Sequence, residues 1–300
     1  MIEIEEYLQE IFEDFKQFAE DGNQLCSLKE LHFQGGQVPD YFDIHLQQLY
    51  LLRYAFAYSF EYMEMFEDLL QKHTYENEIR ILSVGCGANL DYWALKKQLE
   101  KQNAGECKVR YRGLDAIDWH YKIHAERNDE VWFMQGNAAD LFLSQTDSLD
   151  SDIYMFPKSI SEFSETDFTM LCNCFAQKKL KRDELHVMIS LRSDDTSLNM
   201  DVDRSEKLYH ALLENNLESI NKPRTYTCYK DPKSGIKKFD NDFQYPDEAI
   251  EFLQKLDECC AARSDGGCTD DCKQFLNRSP ILTVGKIRYQ IFSFKRKQPV

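Results

Sequence analysis

The sequence lacks a long apolar run, an excess of basic charge, and any internal repeat. No stretch reaches the roughly 18 uncharged apolar residues that a membrane-spanning helix needs, so a helical membrane protein is excluded. Lys and Arg number 36 against 52 Asp and Glu, a net charge of -16 at pH 7. A surface that grips phosphate backbones is usually basic, so bulk nucleic acid is a disfavoured partner. The two short basic clusters, 178–182 and 295–297, read as solvated surface. Without repeats or low-complexity tracts, solenoid and disordered architectures have no support. The first six residues are acidic where a secretory signal would be basic and then apolar, so none is expected. The 10 cysteines fit a reduced, cytoplasmic setting better than a disulfide framework.

What is present is an ordinary globular composition, 43% hydrophobic and 29% charged over 300 residues, enough for one α/β domain with additions. In residues 1–22, Ile4, Tyr7, Leu8, Ile11, Phe12, Phe15, Phe18 and Ala19 recur at helical spacing. Asp21-Gly22-Asn23 ends that helix. Residues 41–73 read as a second, aromatic-rich helix on which Tyr50, Tyr54, Tyr58 and Tyr62 share one face. That stripe suits packing; Tyr54 and Tyr58 are also candidates for contact with a substrate. Residues 1–78 are thus expected to form a helical region on the substrate side of a second domain, 79–300.

From residue 79 the period changes. Strands are expected over 79–84, 109–114, 131–134, 152–156 and 185–191, with helices over 90–102 and 165–178 between them. Alternation of this kind implies a Rossmann-like, mostly parallel sheet flanked by helices. A helix over 203–215, a strand over 224–229, an insertion at about 230–280 and a last strand or bent pair over 281–295 complete the expectation.

The first strand stops at Gly85-Cys86-Gly87-Ala88-Asn89. Glycines there let backbone approach a ligand and set a helix N-terminus beneath it. In an open parallel sheet, ligands sit beyond the carboxyl ends of the strands. Asp115, ending the second strand, is placed to accept hydrogen bonds from ribose hydroxyls. Asn137 or Asp140, after the third, is placed for an adenine amine. A dinucleotide fingerprint needs a third small residue where Leu90 stands, which counts against a nicotinamide-dependent oxidoreductase.

Ile81-Leu82-Ser83-Val84-Gly85-Cys86-Gly87-Ala88-Asn89 resembles the first motif of class I S-adenosylmethionine-dependent methyltransferases. Asp115 matches the acidic residue ending their second strand, and Gln135-Gly136-Asn137-Ala138-Ala139-Asp140 resembles their third-strand motif. The segment 153–159 sits where their fourth-strand motif lies, and the resemblance spans roughly 79–192. It implies a cofactor site of Ser83, Gly85, Cys86, Gly87, Asn89, Asp115, Ala116, Asn137, Ala138, Asp140 and Phe156, with Pro157 beside the acceptor. Three positions depart from the family: Ser83 stands where an acidic residue is common, Asn89 where a third glycine is common, and Asn137 replaces aspartate.

The resemblance implies S-adenosylmethionine as cofactor and methyl transfer as activity. A small-molecule acceptor is favoured and a protein side chain comes next. The alternative is a catalytically inactive chain that keeps the fold and binds a partner. The segment after Phe156 lacks the Asp/Asn-Pro-Pro-aromatic pattern of amine-directed members. Ser159 and Glu162 are candidate acceptor contacts, though their spacing equally fits a helix cap and its capping box. His120 and His124, four apart, read as surface residues because no third ligand lies nearby in sequence. Cys259, Cys260, Cys268 and Cys272, with Cys228 as a further candidate, could wrap zinc or an iron–sulfur cluster, or be free thiols in an exposed insertion.

Overall fold

The computed structural model describes residues 2–31, 39–145, 148–192, 195–220, 228–230, 237–238, 244–264, 274–284 and 287–297. The chain forms two compact units. One comprises residues 1–60, 119–122 and 236–284; the other comprises 61–118, 123–235 and 285–300.

In the first unit, helix α1 (Ile4–Glu20) buries Ile4, Tyr7, Leu8, Ile11, Phe12, Phe15 and Ala19. These residues lie three and four apart, so they form one stripe. Phe12 meets Phe252 of the helix Asp247–Gln254 edge to face, with ring centroids 5.6 Å apart. Gly22, at φ 76°, lets the chain turn after α1. Helix α2 (Ile44–Leu70) runs through the boundary at residue 60. The short segment 119–122 joins this unit through hydrogen bonds. The Tyr7 hydroxyl donates to the Tyr121 carbonyl at 2.7 Å, and the Tyr121 hydroxyl donates to Asp14 at 2.7 Å. His120 N–H donates to Gln47 at 2.8 Å.

The second unit is the Rossmann-like α/β body expected from the strand pattern. In chain order it contains β1 (Glu78–Val84), α3 (Leu90–Lys101), β2 (Lys108–Asp115), β3 (Glu130–Gln135), α4 (Ala138–Gln145) and β4 (Ile153–Pro157). It continues with α5 (Glu165–Gln177), β5 (Glu184–Ser190), α6 (Asp195–Glu214), β6 (Leu217–Ser219), β7 (Cys228–Lys230) and β8 (Ile287–Arg296). The sheet runs β3-β2-β1-β4-β5-β8-β6, with β7 also paired to β8. Strands β1 to β5 pair in parallel, whereas β8 is antiparallel to β5, β6 and β7. Strand order therefore reverses between β1 and β4, which opens a crevice at their carboxyl ends.

The five parallel strands each lie within one residue of the expected bounds, because a buried parallel strand needs a nearly continuous apolar run. Ile79, Ile81, Leu82 and Val84 of β1 are all buried. Two helices depart from expectation. Helix α4 has no counterpart among the expected elements; it is one short helix whose start is fixed by the Asn137 side chain, which accepts from Ala139 N–H at 2.8 Å. Helix α6 starts at Asp195 where a polar loop was expected, and its early residues Leu198 and Val202 pack partly against the core. The expected strand over 224–229 falls largely on residues outside those described; β6 and β7 flank that stretch.

Candidate functional site

β1 and β2 are in register so that Val84 lies opposite Leu114. The two strand ends therefore emerge side by side. Gly85 N–H donates to the Leu114 carbonyl at 2.7 Å and turns with φ 72°; Gly87 follows at φ 55°. These are left-handed values that glycine adopts without steric cost. The Asp115 carboxylate holds the turn from the neighbouring strand. Its Oδ2 accepts from Gly87 N–H at 2.7 Å, and its Oδ1 accepts from Ile117 N–H at 2.9 Å. Asp115 is half-buried at the end of β2.

The expected cofactor residues divide. Gly85, Gly87, Asp115, Ala116, Ala138 and Asp140 lie at the carboxyl ends of the strands with partial or full exposure. Asn137 is there too, but its side-chain oxygen caps α4, accepting from Ala139 N–H and from Asp140 N–H at 3.3 Å. Asp140, exposed in the first turn of α4, is left as the better acceptor for an amine.

Four expectations are corrected. Ser83 is fully buried beneath the turn, among the Asp91 carboxyl and the Tyr111 phenol, so it cannot contact a ligand. Cys86 directs its thiol at Gly113, where a Cβ would meet the sulfur at 2.7 Å, and its N–H goes to the Leu114 carbonyl. Asn89 is also fully buried. Its Nδ2 donates to the Ile123 carbonyl at 3.0 Å and its Oδ1 accepts from Ile123 N–H at 2.8 Å, clamping a following loop to the start of α3. Phe156 lies wholly in the core with Leu82, Val84 and Ile189.

Ser159 stands at the N-cap position of the short helix Ile160–Glu162 but does not cap it with its side chain, and it is buried. Its hydroxyl donates to the Val84 carbonyl at 2.5 Å and makes no cap hydrogen bond, and its Cβ packs onto Gly85. A Cβ on Gly85 would come within 2.4 Å of it. Glu162 pairs with Arg192. Desolvation is the largest influence on its carboxyl and pushes it up to about 7; Arg192 pulls it back, and the charges of Asp115 and Asp201 push it further up. Pro157 is half-buried at the end of β4.

Sequence reasoning missed a charged network at this end of the sheet. Lys158 stands at φ 59°, an uncommon conformation for a side-chain-bearing residue. Its Nζ donates to Glu61 at 2.9 Å and to the Leu191 carbonyl at 3.0 Å. The Ser190 hydroxyl also donates to Glu61. Arg192 N–H donates to Asp201 at 2.7 Å. The available signal was positional: Lys158 and Arg192 each follow a central parallel strand within two residues.

In the other unit, Tyr50, Tyr54 and Tyr58 form a half-exposed stripe, with Tyr54 and Tyr58 stacked at 5.6 Å. Trp119 packs against Tyr41 and Tyr50 in the same unit, 5.3 Å from each ring. Arg53 precedes Tyr54 and is 5% exposed, and its Nε and Nη1 atoms have no hydrogen-bond partner. Burial lowers its pKa to about 10, Tyr54 raises it, and the charge of Arg278 lowers it further. Cys260 is buried, and its sulfur accepts from Leu25 N–H at 3.5 Å. Burial raises the Cys259 thiol, the opposite of what a thiolate ligand needs. Cys268 and Cys272 lie outside the described residues, as does the side chain of Cys228. No four-thiol site is assembled among the described residues.

No family model and no curated protein matches the chain. Among solved structures, it is similar to the plantazolicin methyltransferase BpumL in complex with a monoazolic desmethylPZN analog and SAH. The identity is 13%, covering 97% of this chain and 99% of that one, with a TM-score of 0.42. A SAM-dependent methyltransferase from Archaeoglobus fulgidus is 12% identical over 81% of this chain and 100% of its own, at a TM-score of 0.41. The [4+2]-cyclase SpnF is 13% identical over 79% of this chain and 82% of its own, at 0.39. The fold class itself rests on strand order and direction: a Rossmann-like sheet with its glycine turn at the point of reversal. Among the described residues no helix is long and apolar enough to cross a membrane.

Proposed function

We propose that this chain binds S-adenosylmethionine over the glycine turn and transfers its methyl group to a small-molecule acceptor. The observation that carries the reading is Asp115, a half-buried carboxylate at the end of β2 that steadies Gly87 where ribose hydroxyls would lie. Gly85 and Gly87 keep the turn free of side chains, so a nucleoside can lie close to the backbone. Asp140 supplies an acceptor for the adenine amine. When bound, S-adenosylmethionine supplies an electrophilic methyl group on a sulfonium, which is a good leaving group.

The chain then has to position the acceptor and, where the acceptor is protic, take its proton. Glu162 suits that task by position: it is exposed at this end of the sheet, and desolvation and the nearby charges of Asp115 and Asp201 raise its carboxyl against the pull of Arg192. Arg192, ion-paired to it, fixes its position. A reducing, cytoplasmic setting suits the free thiols of Cys26, Cys86, Cys107, Cys172, Cys174, Cys259 and Cys260.

The burial of Ser83 favours one further reading, a fold-retaining chain without turnover, since no acidic side chain stands there to hold the amino-acid end of the cofactor. Calorimetric titration with S-adenosylmethionine separates the possibilities. Micromolar binding, with S-adenosylhomocysteine formed in the presence of an acceptor extract, is the expected outcome. Binding without product in any extract, or no binding at all, overturns the methyltransferase reading and points to the inactive one.

A further inference from the structure

At the opposite end of the sheet from the glycine turn, three metal-ligating side chains converge. His73 lies just beyond the end of α2; Glu184 and His186 open β5. Residues i and i+2 of a strand share a face, so the Glu184-Leu185-His186 spacing puts carboxylate and imidazole on one side. His73 Nδ1 is 3.2 Å from Glu184 Oε2, and His186 Nε2 is 3.9 Å from the same oxygen. The three ligand atoms all lie within 4.8 Å of one another, and the two imidazole centroids are 4.2 Å apart. Ligands around a tetrahedral zinc, each about 2.0–2.1 Å from the ion, stand about 3.3 Å from one another. The observed separations need closing by about 1.5 Å at most.

The surroundings suit a ligand set. His186 is 2% exposed, and its Nδ1 lies 2.9 Å from the Oγ of Ser293, the residue directly across from it on β8. When Nδ1 donates to that hydroxyl, Nε2 turns its lone pair toward Glu184, an arrangement of two acceptors that a cation between them satisfies. An outer hydrogen bond that fixes tautomer and ring orientation is the usual support of a metal-binding histidine. Tyr75 stands edge-on to His186 with ring centroids 6.4 Å apart, and its buried hydroxyl has no hydrogen-bond partner. Lys295, opposite Glu184 in register, pairs with Glu218 instead.

We infer that His73, Glu184 and His186 form a divalent transition-metal site of the zinc type, with an open fourth position for water. Two imidazoles and one carboxylate suit zinc, and a hard oxygen-loving ion would want more carboxylates. The site stands at the start of β5, six residues and hence roughly 20 Å from the strand's other end. Its role is therefore to tie the segment after α2 to the sheet. It does not take part in methyl transfer.

The test uses the full chain, stripped with chelator and titrated with Co²⁺ and then Zn²⁺, with no methyl donor present. One Co²⁺ per chain is expected, with d–d absorption of a nitrogen–oxygen site and no intense near-ultraviolet sulfur-to-cobalt band. The His73→Gln/Glu184→Gln double variant alters only partly exposed side chains and should lose at least ~100-fold in affinity. The single variant His73→Gln, a milder change, should fall between the two. A Cys259→Ser/Cys260→Ser variant should bind as the wild type does. Absence of Co²⁺ binding, a sulfur band that disappears with the cysteines, or undiminished binding in both histidine variants overturns the inference.

Discussion

Replacing Asp115 with asparagine alters one atom and tests the core of the proposed site. Both carboxylate oxygens are engaged, Oδ2 by Gly87 N–H at 2.7 Å and Oδ1 by Ile117 N–H at 2.9 Å. Asparagine keeps one acceptor and replaces the other with an NH₂ donor. Whichever way the amide is turned, one backbone N–H faces another donor. One charge-assisted hydrogen bond is therefore lost, worth about 1.5–3 kcal/mol. Without ligand, the variant should unfold at a temperature lower by several degrees. With S-adenosylmethionine, the ribose loses a charged acceptor as well, and the dissociation constant should rise at least ~10-fold, about 1.4 kcal/mol. Calorimetric titration of both proteins, alongside thermal unfolding without ligand, reads the two effects separately. Asp140→Asn, away from the turn, should leave the unfolding temperature nearly unchanged. Equal affinity in wild type and Asp115→Asn would refute the ribose assignment, and an unshifted unfolding temperature would refute the claim that this carboxylate holds the turn.

Three further outcomes follow from buried groups. Burial raises the Asp91 carboxyl from 3.8 to about 6, against the pull of the Tyr111 phenol, which donates to it, and of the nearby Ser83 hydroxyl. The folded chain then holds this proton more tightly than the unfolded chain, so its contribution to stability is present below pH ~4 and is lost as pH rises to about 6. The Asp91→Asn variant should remove a fall on the order of 3 kcal/mol across that window; parallel stability–pH curves for the two proteins would count against the buried carboxyl. Ser159→Ala removes the hydroxyl bonded to the Val84 carbonyl and should lower stability by about 1 kcal/mol. If turnover collapses while the unfolding midpoint stays put, Ser159 acts on substrate after all. Arg53→Met replaces a buried guanidinium, whose Nε and Nη1 lack hydrogen-bond partners, with an apolar chain of similar length and should raise stability on the order of 1 kcal/mol; a lower midpoint would mean that the charge is compensated, as by the Tyr54 ring it stands over.

The central strands β1, β4 and β5 were readable because the sheet buries them on both faces, and burial forces an apolar run, which stops sharply at Gly85 after β1 and at Pro157 in β4, whereas β2 alternates buried and half-buried residues up to Asp115. Their order along the chain placed Gly85, Gly87 and Asp115 at one end of the sheet, since parallel strands all point the same way. Position was therefore written in one dimension, but side-chain direction was not. Ser83 and Asn89 sit among site residues in sequence and are fully buried in the fold, because β1 is central and the start of α3 clamps Ile123. Nor could spacing show that Ser159 packs onto Gly85, since residues 85 and 159 meet only when β1 and β4 pair. The same holds for the joining of Glu61 to Lys158 and Ser190, and of His73 to Glu184 and His186. Each gathers groups about a hundred residues or more apart, across elements whose neighbours are set by the crossover order of the sheet. Local periodicity carries what depends on one strand or one helix, and contacts that close over such separations exist only once the elements have packed.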